Sequence, residues 1–352
     1  MQLPREVIVG NNTLNRITEV TQRLNLKGPA LIISGEKSYN TAGKHIETLL
    51  KQKKIKTQTI TINTTTKTTT TITENMKKIE QKITKQKPQI LLAIGGGTII
   101  DMTKINSYKQ NTPFISIPTT ISHDGIASPL ASIKETNKQY SIITQAPLAI
   151  IADTNIISQA PWRSVISGCG DIIAKYTAIK DWHLAHTENN EEYYGEYAAQ
   201  LAQMSAKLIT KNAKYIQQKN TDSIHMIFEA LISCGVAMSI AGSSRPGSGA
   251  EHLFSHALDI ISPKQAMHGE QVGVGTILTA YLHEIDWEQI RDTLKQIGAP
   301  TTAKELGVKN IDIIKALKMA PTIRPERYTI LHKLQLDDEA CEKVARETRV
   351  ID

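Results

Sequence analysis

The sequence predicts two domains of different class: an α/β domain with a parallel sheet over residues 1–158, and an all-α metal- and substrate-binding domain over residues 159–352. Three observations carry this reading. Short β-branched apolar runs alternate with amphipathic helical stretches through the first half, the pattern of successive βαβ units. After Pro161 strand signals stop and long helical periods take over. At 352 residues the chain also exceeds what one hydrophobic core usually supports.

In chain order, Glu6 to Gly10 reads as a short strand and Leu14 to Leu24 as an amphipathic helix. Pro29 to Gly35 is a compact apolar run ending in a turn, as expected of a strand buried on both faces. A helix is predicted from Ala42 to Lys54 and a strand over Thr59 to Ile62. The threonine run after Lys67 reads as a solvated connection, followed by a helix from Glu74 to Thr84. Pro88 to Ile94 is the next strand, Phe114 to Ile117 another, and Ser128 to Ile133 and Ala149 to Ala152 look like closing strands. In the second half, Gly168 to Tyr176 reads as the opening of a helix with Asp171 in its first turn. There a carboxylate is ordinarily a cap or a dipole partner. Further helices are expected over Glu191 to Asn212, Ser223 to Gly242, the histidine region, Trp287 to Ile297 and the C-terminal end.

Two strand ends carry ligand signals. In parallel sheets ligands bind beyond the carboxyl ends of the strands. Gly95-Gly96-Gly97-Thr98-Ile99-Ile100-Asp101 sits at such an end, before a helix. Glycines there let backbone N–H groups approach a pyrophosphate, which the positive helix terminus also attracts. The next strand runs into Pro118-Thr119-Thr120-Ile121-Ser122-His123-Asp124-Gly125. Its hydroxyls are placed to meet a cofactor, and Asp124 to face a substrate, although the same residues are ordinary turn formers.

The stretch Ser243 to Thr276 holds His252 and His256, four residues apart and so on one helix face, and then His268 after a turn at Ser262-Pro263. Neutral imidazole is a common metal donor. Single buried histidines are more often hydrogen-bonded core residues, but three in one window point to a site.

Composition narrows the function classes. The net charge of +7, with an isoelectric point near 9.1, would suit nucleic acid. The lysines are scattered, however, aromatics are only 5%, and no nucleic-acid motif is present. A basic protein also suits an anionic small molecule. Cys169, Cys234 and Cys341 form no CxxC pair, which fits inert thiols in a reducing compartment. No apolar run approaches a membrane span and no signal-peptide pattern follows Met1. The expectation is a cytoplasmic protein without membrane insertion.

GGGTIID after a strand, then GDIIAKY, then SGAEHLFSHALD and MHGEQVGVG resemble, in this order, the polyol dehydrogenase and dehydroquinate synthase group. The resemblance covers nearly the whole chain and implies a dehydroquinate synthase-like fold with its site in the cleft of two domains. It implies that a metal is held by Asp171, His252 and His268. Zinc, one per chain, is expected, with iron at the equivalent site in some relatives. Within the group, PTTISHDGIASPLASI is similar to the archaeal-type sn-glycerol-1-phosphate dehydrogenases. That resemblance implies NAD(H)- or NADP(H)-dependent reduction of dihydroxyacetone phosphate to glycerol 1-phosphate for phospholipid biosynthesis. An unphosphorylated polyol is the alternative substrate.

By the same resemblance the cofactor is met by Gly95, Gly96, Gly97, Thr98, Ile99, Ile100, Asp101, Thr119, Thr120, Ile121, Ser122 and Ser128. The catalytic residues are Asp171, Asp124 and His256, with His256 the first candidate for proton relay and Asp124 the second. Arg245 and Lys175 are the candidate phosphate donors. Glu36 and Lys37 follow a strand end and could repel or attract a 2′-phosphate. Exposed helices in the second domain make a homo-oligomer the expected assembly.

Overall fold

The computed structural model describes residues 1–352 except 64–68, 136–137, 189–191 and 263–265. Its chain divides into two compact units. The first comprises residues 1–121 and 125–161; the second comprises 122–124 and 162–352.

The first unit contains strands β1 (Glu6–Gly10), β2 (Ala30–Gly35), β3 (Thr57–Ile62), β4 (Ile90–Gly95), β5 (Phe114–Pro118), β6 (Leu130–Glu135), β7 (Lys138–Ile143) and β8 (Ala149–Asp153). Six of them form one parallel sheet in the order β1-β8-β5-β4-β2-β3. Sequence composition follows position in that order. The central strands β2, β4, β5 and β8 are buried along their whole length, whereas the edge strands β1 and β3 are mixed. A strand covered by helices on both faces has no solvent side on which to place polar residues. Ile32, Leu92, Ile94, Ile115, Ile117 and Ile151 meet Ile17, Val20, Ile46 and Leu50 in one core.

The topology fixes where a ligand can sit. From β2 the chain moves outward to β3; from β4 it moves the opposite way, to β5. The direction reverses between β2 and β4, so their carboxyl ends, Gly35 and Gly95, flank the crevice of a doubly wound sheet.

Two expectations are corrected here. The run from Ser128 does not close the main sheet: β6 pairs antiparallel with β7 in a separate two-stranded hairpin. Its alternation was a true strand signal, but alternation does not say which strand it pairs with. The threonine run is not all connection, since a helix begins at Thr69 and runs to Gln86. Residues 64–68 lie outside the described part. β-Branched threonine is a weak helix former, and packing overrides it here.

The second unit is helical: among the described residues it has no strand. Its longer helices are Trp162–Ile173, Lys175–Glu188, Glu196–Lys211, Thr221–Ala241, Ala250–Ile261, His268–Leu282, Trp287–Ile297, Asn310–Ile323 and Asp338–Glu347. The Glu196 helix starts later than the predicted Glu191, which lies outside the described residues. Thr221–Ala241 is long and apolar enough to cross a membrane by length and composition alone. It packs along Glu196–Lys211, where Ala237 meets Ala198, Ala199, Ala202 and Trp182 in a buried cluster. That is the position of a core helix.

Candidate metal centre and nucleotide cradle

Asp171, His252 and His268 each bring one donor atom into a set whose members all lie within 4.8 Å of one another. They come from three helices, and the meeting of these helices is written in glycines. A Cβ on Gly170 would lie 2.1 Å from the carbonyl oxygen of Gly269, and a Cβ on Gly269 would lie 1.8 Å from that of Ser167. Helices Trp162–Ile173 and His268–Leu282 therefore touch backbone to backbone, and the residues next to the two glycines, Asp171 and His268, are brought together.

This corrects the reading of Asp171 as a first-turn residue. It lies in the last turn of Trp162–Ile173. The carboxyl end of a helix dipole disfavours a carboxylate, so Asp171 is no capping group, and its charge must be answered from elsewhere. One oxygen accepts from Lys175 Nζ at 3.2 Å and faces His252 Nε2 at 3.3 Å; the other accepts from the Asp124 backbone N–H at 2.8 Å. Burial pushes the Asp171 pKa up, but Lys175, then His252 and His268, hold it well below the usual carboxylate range.

Both imidazoles are oriented from behind. His252 Nδ1 sits 2.8 Å from Glu251 Oε1, which turns Nε2 toward Asp171. Glu251 is itself buried and accepts from Gly249 N–H and from the Thr177 hydroxyl. His268 Nδ1 lies 3.3 Å from Ser255 Oγ, and that hydroxyl donates to Gln271 Oε1. Such outer partners set tautomer and ring direction in histidines that bind metals. Burial, then His252, depresses the His268 pKa to about 3, so it is a neutral donor. Burial would lower His252 as well, but its hydrogen bonds to Asp171 and Glu251 outweigh that and raise it. One carboxylate and two imidazoles, leaving a position open, are a donor set suited to a catalytic divalent ion.

Three further groups border the triad. Lys175 is fully buried, with Nζ 2.8 Å from Asp124 Oδ2 and 3.2 Å from the Gly247 carbonyl oxygen. Burial and the neighbouring Asp171 raise the Asp124 pKa against the pull of Lys175. The His256 ring stacks on His268 with 5.9 Å between centroids, and its buried Nδ1 has no partner. Burial, then His268, His252, Arg324 and Arg327, keep His256 well below the ordinary imidazole pKa.

The two expected phosphate donors are already engaged. Lys175 is committed to Asp124 and Asp171. Arg245 is buried, forked onto Glu192 and bonded to the Tyr328 carbonyl oxygen. Both are corrected to structural ion pairs. A charge count along the chain could not reveal this for Arg245, whose Glu192 is 53 residues away, and for Lys175 it shows Asp171 one helical turn away but not Asp124.

Sequence reading also passed over Glu270 and Arg163. Glu270 accepts from the Met267 N–H at 2.8 Å, and its carboxylate takes a bidentate pair from Arg163 at 2.6 and 2.7 Å. The pair fixes the start of the helix that His268 opens. Its only sequence signal was the Glu two residues after His268.

In the first unit, Gly95 ends β4 and Gly97 begins a helix that runs to Lys109. Gly96 is placed where a Cβ would come within 3.0 Å of Thr120 Oγ1. The Thr119 N–H donates to the Gly95 carbonyl oxygen, and Ser38 Oγ donates to that of Ile94. The ends of β2, β4 and β5 are thus tied side by side. Of the expected cofactor residues, Gly96, Thr98, Thr119 and Thr120 reach solvent in this cradle. The side chains of Ile99, Ile100 and Ile121 are core, which leaves them backbone contacts alone. Asp101 is buried with an oxygen 3.4 Å from Lys104 Nζ, and Ser128 is buried against Leu130. Ser122 belongs to the second unit, where its carbonyl oxygen accepts from Ser167 Oγ. Glu36 and Lys37 open a short helix after β2 and are exposed.

Fold and donor set together define a class, the metal-site dehydrogenases built on a doubly wound domain. Residues 8–161 match the iron-containing alcohol dehydrogenase family. In overall fold the chain is similar to glycerol dehydrogenase from Schizosaccharomyces pombe, with TM-score 0.81 at 19% identity over 99% of this chain and 91% of that one. It is equally similar to a probable glycerol dehydrogenase from Sinorhizobium meliloti, with TM-score 0.81 at 18% identity over 99% of both chains. Two relatives named glycerol-1-phosphate dehydrogenase (NAD(P)+) define the family more narrowly. The protein from Methanosarcina acetivorans is 51% identical over all of this chain and 96% of its own length. That from Thermococcus sibiricus is 51% identical over all of this chain and 98% of its own length. The chain belongs to the glycerol-1-phosphate dehydrogenase family.

Proposed function

We propose that this protein reduces dihydroxyacetone phosphate to sn-glycerol 1-phosphate with NADH or NADPH, reversibly, as an oxidoreductase on a secondary alcohol. The observation that carries the reading is the convergent set Asp171, His252 and His268 in a chain half identical to glycerol-1-phosphate dehydrogenases over its full length. In the reduction one hydride goes to the carbonyl carbon and one proton to its oxygen, and the oxidised nicotinamide leaves. The product is the glycerol phosphate unit on which an sn-1 phospholipid backbone is built.

Asp171, His252 and His268 would hold one divalent ion, which we assign as zinc. When bound it supplies Lewis-acid polarisation of a carbonyl without redox chemistry of its own. Glu251 and Ser255 keep the two ligating imidazoles turned toward the ion. His256 Nδ1, buried and unpartnered, is a hydrogen-bonding atom available to the substrate. His256 remains the first candidate to relay the proton the new hydroxyl requires, and Asp124, positioned by Lys175, is the second. The nicotinamide, which supplies the hydride, is assigned to the cradle of Gly96, Thr98, Thr119 and Thr120. The three cysteines are buried and unpaired, in keeping with a cytoplasmic setting.

The test is cofactor oxidation with dihydroxyacetone phosphate and with dihydroxyacetone, chiral analysis of the product, and metal content per chain. Formation of the sn-1 enantiomer with about one zinc per chain supports the reading. Faster turnover of the unphosphorylated ketone would replace it with polyol oxidation, and absence of any reductase activity would overturn it.

A further inference from the structure

Two guanidinium groups are buried in the second unit beside the loop that leads into helix Ala250–Ile261. Arg245 is answered by the Glu192 carboxylate. Arg327, 6% exposed, is not: it donates to the Ser248 carbonyl oxygen at 2.7 Å and to the Ser244 hydroxyl at 2.5 Å. Among the described residues no carboxylate pairs with it. A buried cation held only by neutral acceptors carries an uncompensated desolvation cost.

A second cation lies on the same turn. The Arg327 N–H donates to the Arg324 carbonyl oxygen, and Arg324, partly exposed, pairs with the exposed Glu326. Ser248, whose carbonyl oxygen holds one arm of Arg327, directly follows Gly247, whose carbonyl oxygen accepts from Lys175 Nζ beside Asp124 and Asp171. His256 stacks on His268 of the triad and has an unpartnered Nδ1. Arg327 is thus tied to the loop that borders the triad, and among the described residues no carboxylate forms an ion pair with it.

We infer that Arg327, with Arg324 beside it, is the anion subsite that receives the substrate's phosphate monoester while His256 meets the carbon chain. This rests on the reading of the substrate as a phosphorylated ketone and adds the residues that select it. A guanidinium presents two parallel N–H donors to a phosphate, and the incoming dianion supplies the charge the fold withholds. Ser244 and Ser248 hold the fork in a fixed direction, so little ordering is left to be done on binding.

The test compares kcat/KM for dihydroxyacetone phosphate and dihydroxyacetone in the wild type, Arg327→Met, Arg327→Lys and Arg324→Gln, with the KM of the cofactor followed in each. The ratio should fall by about 100-fold in Arg327→Met and about 10-fold in Arg324→Gln, by loss of charge-assisted bonds, and recover in part in Arg327→Lys. Inorganic phosphate should raise the melting temperature of the wild type and not that of Arg327→Met. If Arg327→Met does not fold, Arg327→Lys and Arg324→Gln decide: a preference for the phosphorylated ketone unchanged in both overturns the subsite. A rise in cofactor KM with an unchanged substrate ratio overturns it as well, by assigning the arginines to the dinucleotide. A wild type inactive on both ketones would instead remove the proposed function itself.

Discussion

Replacing Lys175 by Met should expose how much of the site depends on one buried cation. In the folded protein Nζ lies 2.8 Å from Asp124 and 3.2 Å from Asp171. At an effective dielectric of about 20 these contacts are worth roughly 6 and 5 kcal/mol of attraction, much of it offset by desolvation of the ammonium. The Met variant leaves two carboxylates facing each other. Losing one partner of a buried pair costs about 3–5 kcal/mol. The variant also has an escape, because Asp124 can take up a proton. With an ordinary value of 3.8 in the unfolded chain, protonating it at pH 7.5 costs about 5 kcal/mol, and at pH 5.5 about 2 kcal/mol. The sign follows: an acid whose folded pKa is raised contributes instability that is small near its unfolded pKa and grows as pH rises. The metal-free variant should therefore lose on the order of 10 °C of melting temperature at pH 7.5, and less than half that at pH 5.5. Adding Asp124→Asn to it should restore most of the loss at the higher pH. Chelator-treated protein followed by circular dichroism supplies the measurement. A loss under about 1 kcal/mol at pH 7.5, or one independent of pH, would refute the reasoning.

Three other outcomes follow from the same geometry. Gly269→Ala would drive a methyl to 1.8 Å from the Ser167 carbonyl oxygen; we expect at least about 4 kcal/mol of destabilisation and loss of bound metal, read from soluble yield, thermal melts and metal analysis. His256→Ala should keep about one metal per chain while kcat falls by about 100-fold; loss of the metal would make His256 a ligand. Burial pushes the Cys169 and Cys234 thiols up to about 12 and Cys341 to about 11. Burial disfavours the charged thiolate, so at pH 8 about one part in a thousand or less is ionised. A thiol reagent should therefore find no reactive cysteine before unfolding and three after it.

What could be read in the sequence was whatever a neighbour within a few positions determines. The buried strands β2, β4, β5 and β8 announced themselves as apolar runs because both faces are covered, and HLFSH announced one face of a helix by its spacing. Gly168 and Gly170 misled for an equally physical reason. A glycine reads locally as a breaker or an opening turn, so Asp171 was placed at the start of a helix. In the fold Gly170 is mid-helix and small because Gly269, far along the chain, lies against it. The same limit governs the cations. Lys175 and Arg245 stood next to recognisable motifs and looked available, yet each is neutralised by a remote acid. Arg327 stood beside no motif, and among the described residues no carboxylate forms an ion pair with it. Availability of a charge to a ligand is a property of the pairing that remains after folding. The anion subsite therefore has to be sought among the cations whose partners the tertiary structure leaves neutral, and not among those nearest to the signature residues.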